Sequence, residues 1–343
     1  MKRKNTHTKS FLLLSLLLLV LWLVNISLGS VLIPLDAIVS ILFEGEGVKE
    51  SWRIIVLNYR IPKAITAVLV GSGLSVSGLL MQTLFRNPLA GPFVLGISSG
   101  ASLGVAFLIL GASFLGGSLL VFSTSSWALA LAASVGAFLV LSAVIVAAAR
   151  VRNTMSILII GLMFGSITTA VISVLSYFSE AAQIQQFLFW SFGNLGNLSW
   201  NELSVFFVVY FVAMSGLLIL IKPLNSYLLG EAYAKSLGVN VQRTSLLILT
   251  ITSLLAGVIT AFAGPIAFIG LAVPHITKLL FTTSNHKILL PAVALLGAVV
   301  LLICDTIAQL PMSELTLPIN AITSLFGAPV VVWLLVRKKK IYV

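Results

Sequence analysis

Only nine of the 343 residues are aspartate or glutamate, and 8% carry any charge. Ordinary soluble domains carry about 25%, so this chain cannot solvate the surface of a globular domain of its size. Cysteine is nearly absent. The single Cys304 lies within an apolar run, which excludes a disulfide framework and a cysteine-based metal cluster. No lysine directly follows a glycine, so the phosphate-binding loop GxxxxGK[ST] is missing and any ATP must be bound by another chain. No aspartate cluster of the kind that prenyl or glycosyl transfer uses lies on a loop, which argues against a membrane enzyme. Alternating stretches of about ten residues are lacking too, and with them a transmembrane barrel.

Long apolar runs are what the chain does have. Hydrophobic residues make up 59%, and stretches of about 20 recur from end to end, the length that crosses ~30 Å of hydrocarbon. The runs predict ten spans, 11–33, 64–85, 92–111, 126–149, 155–178, 202–221, 244–263, 266–283, 288–308 and 318–336. The expected fold is therefore all-α, a polytopic membrane protein with 1–343 as a single transmembrane domain. The longest non-spanning stretch, 34–63, is too short for a core of its own. Lys2–Lys9 before an apolar run resembles a secretory signal, but the run continues through Val31–Ile33, so an uncleaved first helix is expected.

Charge gives an orientation. With both termini in the cytoplasm, 16 of the 20 basic residues fall inside, as the positive-inside rule requires. Lys49, Arg53, Arg60 and Lys63 fall outside, together with Glu44, Glu46, Glu50, Glu180 and Glu314. The net charge of +11 thus reports topology, and nucleic acid is not an expected partner.

Certain stretches carry more than hydropathy. Residues 71–101 hold small residues Gly71, Ser75 and Gly78 on one helix face, where close packing replaces the missing hydrophobic drive. Arg86-Asn87-Pro88 then breaks the chain, and Pro92 opens a second helix. Gly91-Pro92 with Gly96 echoes Gly264-Pro265 with Gly270, on opposite sides of the membrane, which is consistent with an inverted repeat or with two plain helix breaks. Asp305 is the one carboxylate placed close to the bilayer, where such a group needs a partner. His275, beside Pro274, reads as a packing residue more readily than as a ligand. The inner loop 229–243 brackets a short helix between Gly230 and Gly238, with Ala232, Ala234 and Leu237 at helical spacing. Such a rod can dock a soluble partner.

Taken in order, these segments resemble the iron-chelate permease family, the FecCD-type membrane subunits of importers for iron-siderophores, haem and cobalamin. The resemblance rests on Arg60-Ile-Pro-Lys63, Ser77-Gly78 with Gln82, Asn87-Pro88-Leu89-Ala90 with Pro92, and Leu95-Gly96. It continues through Gly230-Glu231 with Ala234 and Leu237-Gly238, then Gly264-Pro265 through Val273-Pro274-His275, Asp305-Thr306 and Gly327-Ala328-Pro329. It covers residues 58 to 336, nearly the whole chain.

The resemblance implies a type II ABC importer permease in the bacterial cell membrane. Its implied partners are a second permease subunit (identical or a paralogue), two ATPase subunits and an extracytoplasmic substrate-binding protein. No cofactor is expected on this chain, ATP and magnesium belonging to the ATPase. Residues Gly230, Glu231, Ala234, Lys235, Leu237 and Gly238 would couple to the ATPase, while Arg60 and Lys63 would receive acidic residues of the binding protein. Asn87, Leu89, Thr154 and Met155 would form the cytoplasmic gate. Two positions depart from the pattern: Gln309 stands where arginine is common, and Asn320 where glycine is usual. The lost charge should weaken an outer salt bridge or mark an asymmetric heterodimer. Iron(III)-siderophore is the expected cargo, with haem and then cobalamin as alternatives. A proton-coupled secondary transporter or exporter is the reading from another class.

Overall fold

The computed structural model describes residues 2–43, 45, 47–111, 125–148, 154–313 and 315–336. Among them every regular element is helical. The chain divides into two compact units. The first comprises Met1–Val76, Leu195–Leu203 and Ile266–Val343, and the second Ser77–Asn194 and Ser204–Pro265.

The first unit opens with α1, Lys2–Ser27, followed by short helices α2, Leu35–Leu42, and α3, Glu50–Ile55. A π-helical turn over Val56–Arg60 leads into α4, Ile61–Leu84, whose first part belongs here. After residues 195–203 the unit resumes with α12 (Ile269–Phe281), α13 (His286–Ala308) and α14 (Ile319–Val336). The small-residue face of α4 meets α13 backbone to backbone. A Cβ added at Gly71 would run into the Gly297 carbonyl oxygen, and one at Gly297 would strike Ser75 Oγ. Lipid gives helices no hydrophobic reason to associate, so this approach supplies van der Waals contact instead.

The second unit continues α4 and adds a 3-10 turn over Pro92–Leu95 and α5 (Ile97–Ile109). Helices α6 (Ser126–Ala148), α7 (Thr154–Tyr177) and α8 (Ala181–Ser191) follow. Then come α9 (Trp200–Tyr227), α10 (Glu231–Ser236) and α11 (Val241–Ala263). Helices α5 and α6 cross on glycine: Cβ atoms at Gly100 and Gly136 would each collide with the other residue's carbonyl oxygen. At its start α9 carries a capping box. Glu202 accepts hydrogen bonds from Ser199 N (2.8 Å) and Ser199 Oγ (2.7 Å), which explains a nearly buried carboxylate there.

Among the described residues, seven helices are long and apolar enough to cross a membrane: 7–27, 50–84, 126–147, 156–177, 200–227, 241–263 and 286–308. The shorter apolar helices Ile97–Ile109, Ile269–Phe281 and Ile319–Trp333 lie within the remaining predicted spans. Two of these are short for a physical reason. Each follows a Gly-Pro pair and begins after a left-handed residue, Gly96 (φ 74°) before α5 and Phe268 (φ 66°) before α12. At 13 residues each, they rise about 20 Å, less than the hydrocarbon thickness. Helix α1 also stops at Ser27, six residues short of the predicted end, and Arg60 donates to the carbonyls of Ile26 and Ser27 there.

Candidate functional site

One predicted group, the docking pair Arg60 and Lys63, lies in the first unit, near the end of α1. Arg60 closes the π-helical turn and aims its guanidinium at the free carbonyls of that helix end. Nη1 donates to Ile26 O (2.6 Å) and Ser27 O (2.8 Å), and Nη2 to Val31 O. The last carbonyls of a helix lack internal partners and carry partial negative charge, which suits a five-donor cation. The fit is close, since a Cβ at Gly29 would sit 2.8 Å from Nη2. One turn on, Lys63 Nζ lies 3.2 Å from Asp305 Oδ1.

Asp305 is only 2% exposed and fully engaged. Its Oδ2 accepts from Asn25 Nδ2 (2.9 Å) and Gln309 Nε2 (2.8 Å), and Asn25 also reaches Thr306 Oγ1 at 3.0 Å. A carboxylate among apolar helices is tolerable only with such a shell. Both outer cations predicted to meet a binding protein are therefore engaged by this chain's own groups. Gln309, the departure from the family pattern, keeps a role by donating to the same carboxylate. Asn25 was not singled out in the sequence; a lone amide inside the apolar run of α1 was the available signal. Asn320, the other departure, accepts from Ala267 N at 3.0 Å and fixes the turn that starts α12.

Segment 229–243, predicted to couple to the ATPase, and the Arg86 break lie in the second unit. Gly230 (φ 105°) and Gly238 (φ 83°) both hold left-handed conformations that residues with a Cβ rarely adopt. Between them α10 packs by Ala234, which is fully buried, and closes with Gly238 N to Lys235 O and Val239 N to Ala234 O, both 3.0 Å. The buried Tyr227 hydroxyl donates to Val241 O (3.0 Å) and lies 2.9 Å from Ser245 Oγ, fastening both ends of the segment. Helical spacing suggested Ala232, Ala234 and Leu237 as one packed face; the structure buries only Ala234. Instead Leu229, Tyr233 and Leu237, four residues apart, are exposed by 64%, 50% and 56%. Glu231 is half-buried and Lys235 exposed.

Arg86, at φ 47°, reaches this segment: its Nη1 would lie 3.4 Å from a Cβ on Gly230. Directly after it, Asn87 forms an Asx turn, Oδ1 accepting from Leu89 N at 2.9 Å and its carbonyl from Ala90 N at 3.1 Å. Leu89 is left exposed. Thr154 and Met155 open α7, and their side chains lie outside the described residues. Among the described residues no cluster of three metal-ligating side chains occurs.

These features coincide with a known pattern. A family model for the FecCD transport family matches residues 17–337. The chain belongs to the FecCD transport family. A vitamin B12 import system permease protein, BtuC, from Klebsiella pneumoniae is 36% identical over 327 residues, covering 95% of this chain and 93% of that one. The corresponding permease from Salmonella typhimurium is 34% identical, covering 93% and 96%. Among solved structures, a chain described as a metal-chelate-type ABC transporter in an inward-facing conformation superposes with a TM-score of 0.83 and 28% identity. That match covers 96% of this chain and 99% of that one. As a FecCD member the chain is a membrane-embedded ABC importer permease, a transport subunit without enzymatic activity. Such a permease works with ATPase, binding-protein and second permease partners.

Proposed function

We propose that this chain forms the translocation pathway of an importer for a cobalamin-class metal chelate. What carries the reading is the end-to-end similarity to the vitamin B12 permeases, 36% over 95% of the chain. The siderophore expected from the family's commonest cargo is the second reading, supported by the family match and by likeness to a metal-chelate-type transporter. The chain would sit in the bacterial cell membrane with both termini cytoplasmic. Two copies, or one with a paralogue, would flank the pathway.

Energy would come from ATP and magnesium on two partner ATPases, docking on 229–243. Exposed Leu229, Tyr233 and Leu237 offer the apolar anchor such docking uses, and Arg86 would link that movement to the turn holding Asn87 and Leu89. With Thr154 and Met155 these form the proposed cytoplasmic gate. Arg60 and Lys63 can serve binding-protein docking chiefly by shaping the outer end of α1, since their charges are already engaged. The cargo is tested by uptake of labelled cyanocobalamin and of a labelled ferric siderophore. The assay uses cells lacking their own permeases and supplied with this chain and its cognate partners. Cobalamin uptake alone supports the first reading; siderophore uptake alone replaces it with the second.

A further inference from the structure

Most basic side chains without a counter-charge, Lys9, Lys222, Lys235, Arg243 and Lys287 among them, are exposed, but Lys278 is drawn partly into the fold. Lys278, in the last turn of α12, is partly buried, yet among the described residues its ammonium has no hydrogen-bond or ion-pair partner. Asp305, the carboxylate paired within this unit, is remote from it. Asn25 holds Asp305 at the far end of α1, whereas α12 meets α1 near its start. The 18 residues from His7 to Asn25 rise about 27 Å, far beyond the reach of an ion pair.

The surroundings say what covers the charge. Phe281, one turn on and on the same face, is buried against α1, its ring 6.0 Å from His7 (stacked) and 5.0 Å from Phe11. Leu279 and Leu280 follow Lys278 and are exposed by 38% and 57%, while Leu12 and Leu13 of α1 are each exposed by 67%. Exposed leucines on both helices offer acyl chains an apolar surface beside an ammonium that suits a phosphate. A soluble acidic partner would leave those leucines unmatched. A lipid phosphate satisfies both.

We propose that Lys278, beside the His7–Phe281 stack, holds the phosphate of an anionic phospholipid, the acyl chains lying on Leu279 and Leu280. Basic pockets between membrane helices bind such headgroups, each lysine contributing about 1 kcal/mol near the surface, or roughly five-fold in affinity. The site depends on membrane embedding alone and is indifferent to the transported cargo.

The test is native mass spectrometry of the full chain in mild detergent with added dioleoylphosphatidylglycerol, dioleoylphosphatidylcholine or soluble glycerol phosphate. The anionic lipid should be retained over the zwitterionic one, and Lys278→Met should lower that retention about five-fold. Lys278→Arg should restore it, and Lys49→Met, at the other end of the first unit, should leave it unchanged. Equal retention of the two lipids, or undiminished retention in Lys278→Met, overturns the proposal. Displacement of the lipid by an equal concentration of glycerol phosphate overturns it too, because acyl chains would then contribute nothing. Should Lys278→Met fail to fold, the wild-type chain decides. Its melting temperature should rise more with phosphatidylglycerol than with phosphatidylcholine, and an equal rise refutes the site.

Discussion

Asp305 and Lys63 are 242 positions apart in sequence and 3.2 Å apart in space, and the pair shows how costly a lone charge between helices would be. Removing one partner of a buried pair costs about 3–5 kcal/mol, whereas replacing both by apolar groups costs far less. Asp305→Ala should therefore lower the thermal unfolding temperature in detergent sharply, and Lys63→Met with Asp305→Leu should recover much of the loss. Strict additivity of the two changes would show that they do not interact. Gly297 tests packing at the same scale. Its substitution by leucine must push the α4 and α13 backbones apart, costing about 1–3 kcal/mol; an unchanged melting temperature would mean that the helices have room. The need of Asp305 for a partner was legible in the sequence from its place near an apolar run. Of the partners only Gln309, four residues on along the same helix, stands at a local spacing; no local spacing ties Lys63 or Asn25 to Asp305.

The proposed coupling role of segment 229–243 belongs to the scale of elements. Its glycine brackets could be read from sequence, since Gly230 and Gly238 flank seven residues, six of them helical, and both adopt left-handed conformations. Which face it presents could not be read, because one turn and a half of helix has too few positions to define a period. Two changes separate shape from surface. Gly238→Val strains a left-handed position by about 1–3 kcal/mol and should uncouple ATP hydrolysis from uptake. Tyr233→Asp with Leu237→Asp leaves the backbone alone and should abolish co-purification of the ATPase while membrane expression persists. If the double variant retains the ATPase, the exposed apolar row is not the docking surface. The short helices α5 and α12 were only half legible. Gly-Pro marked both breaks, but hydropathy extended the predicted spans, 92–111 and 266–283, beyond both ends of the helices Ile97–Ile109 and Ile269–Phe281. The left-handed Phe268 depends on Asn320 Oδ1 holding the Ala267 amide, a contact between residues 53 apart.

For the whole molecule, apolar run length carried the all-helical class, because membrane crossing depends on composition summed over about 20 residues rather than on any one contact. The ordered motifs carried the family. Cargo identity was beyond them: no site residue in the described chain distinguishes a corrinoid from a siderophore, and similarity to vitamin B12 permeases supplied that preference. What remains central is that this chain moves cargo only when an ATPase in another chain drives it, since no phosphate-binding loop exists here. The direct measurement is uptake of labelled cyanocobalamin into proteoliposomes. These hold either this chain alone or this chain with its ATPase, binding protein and internal or external ATP as orientation requires. ATP-dependent accumulation only in the complete assembly, and neither hydrolysis nor uphill uptake by the chain alone, is the expected result. Accumulation by the chain alone under a proton gradient would contradict the account.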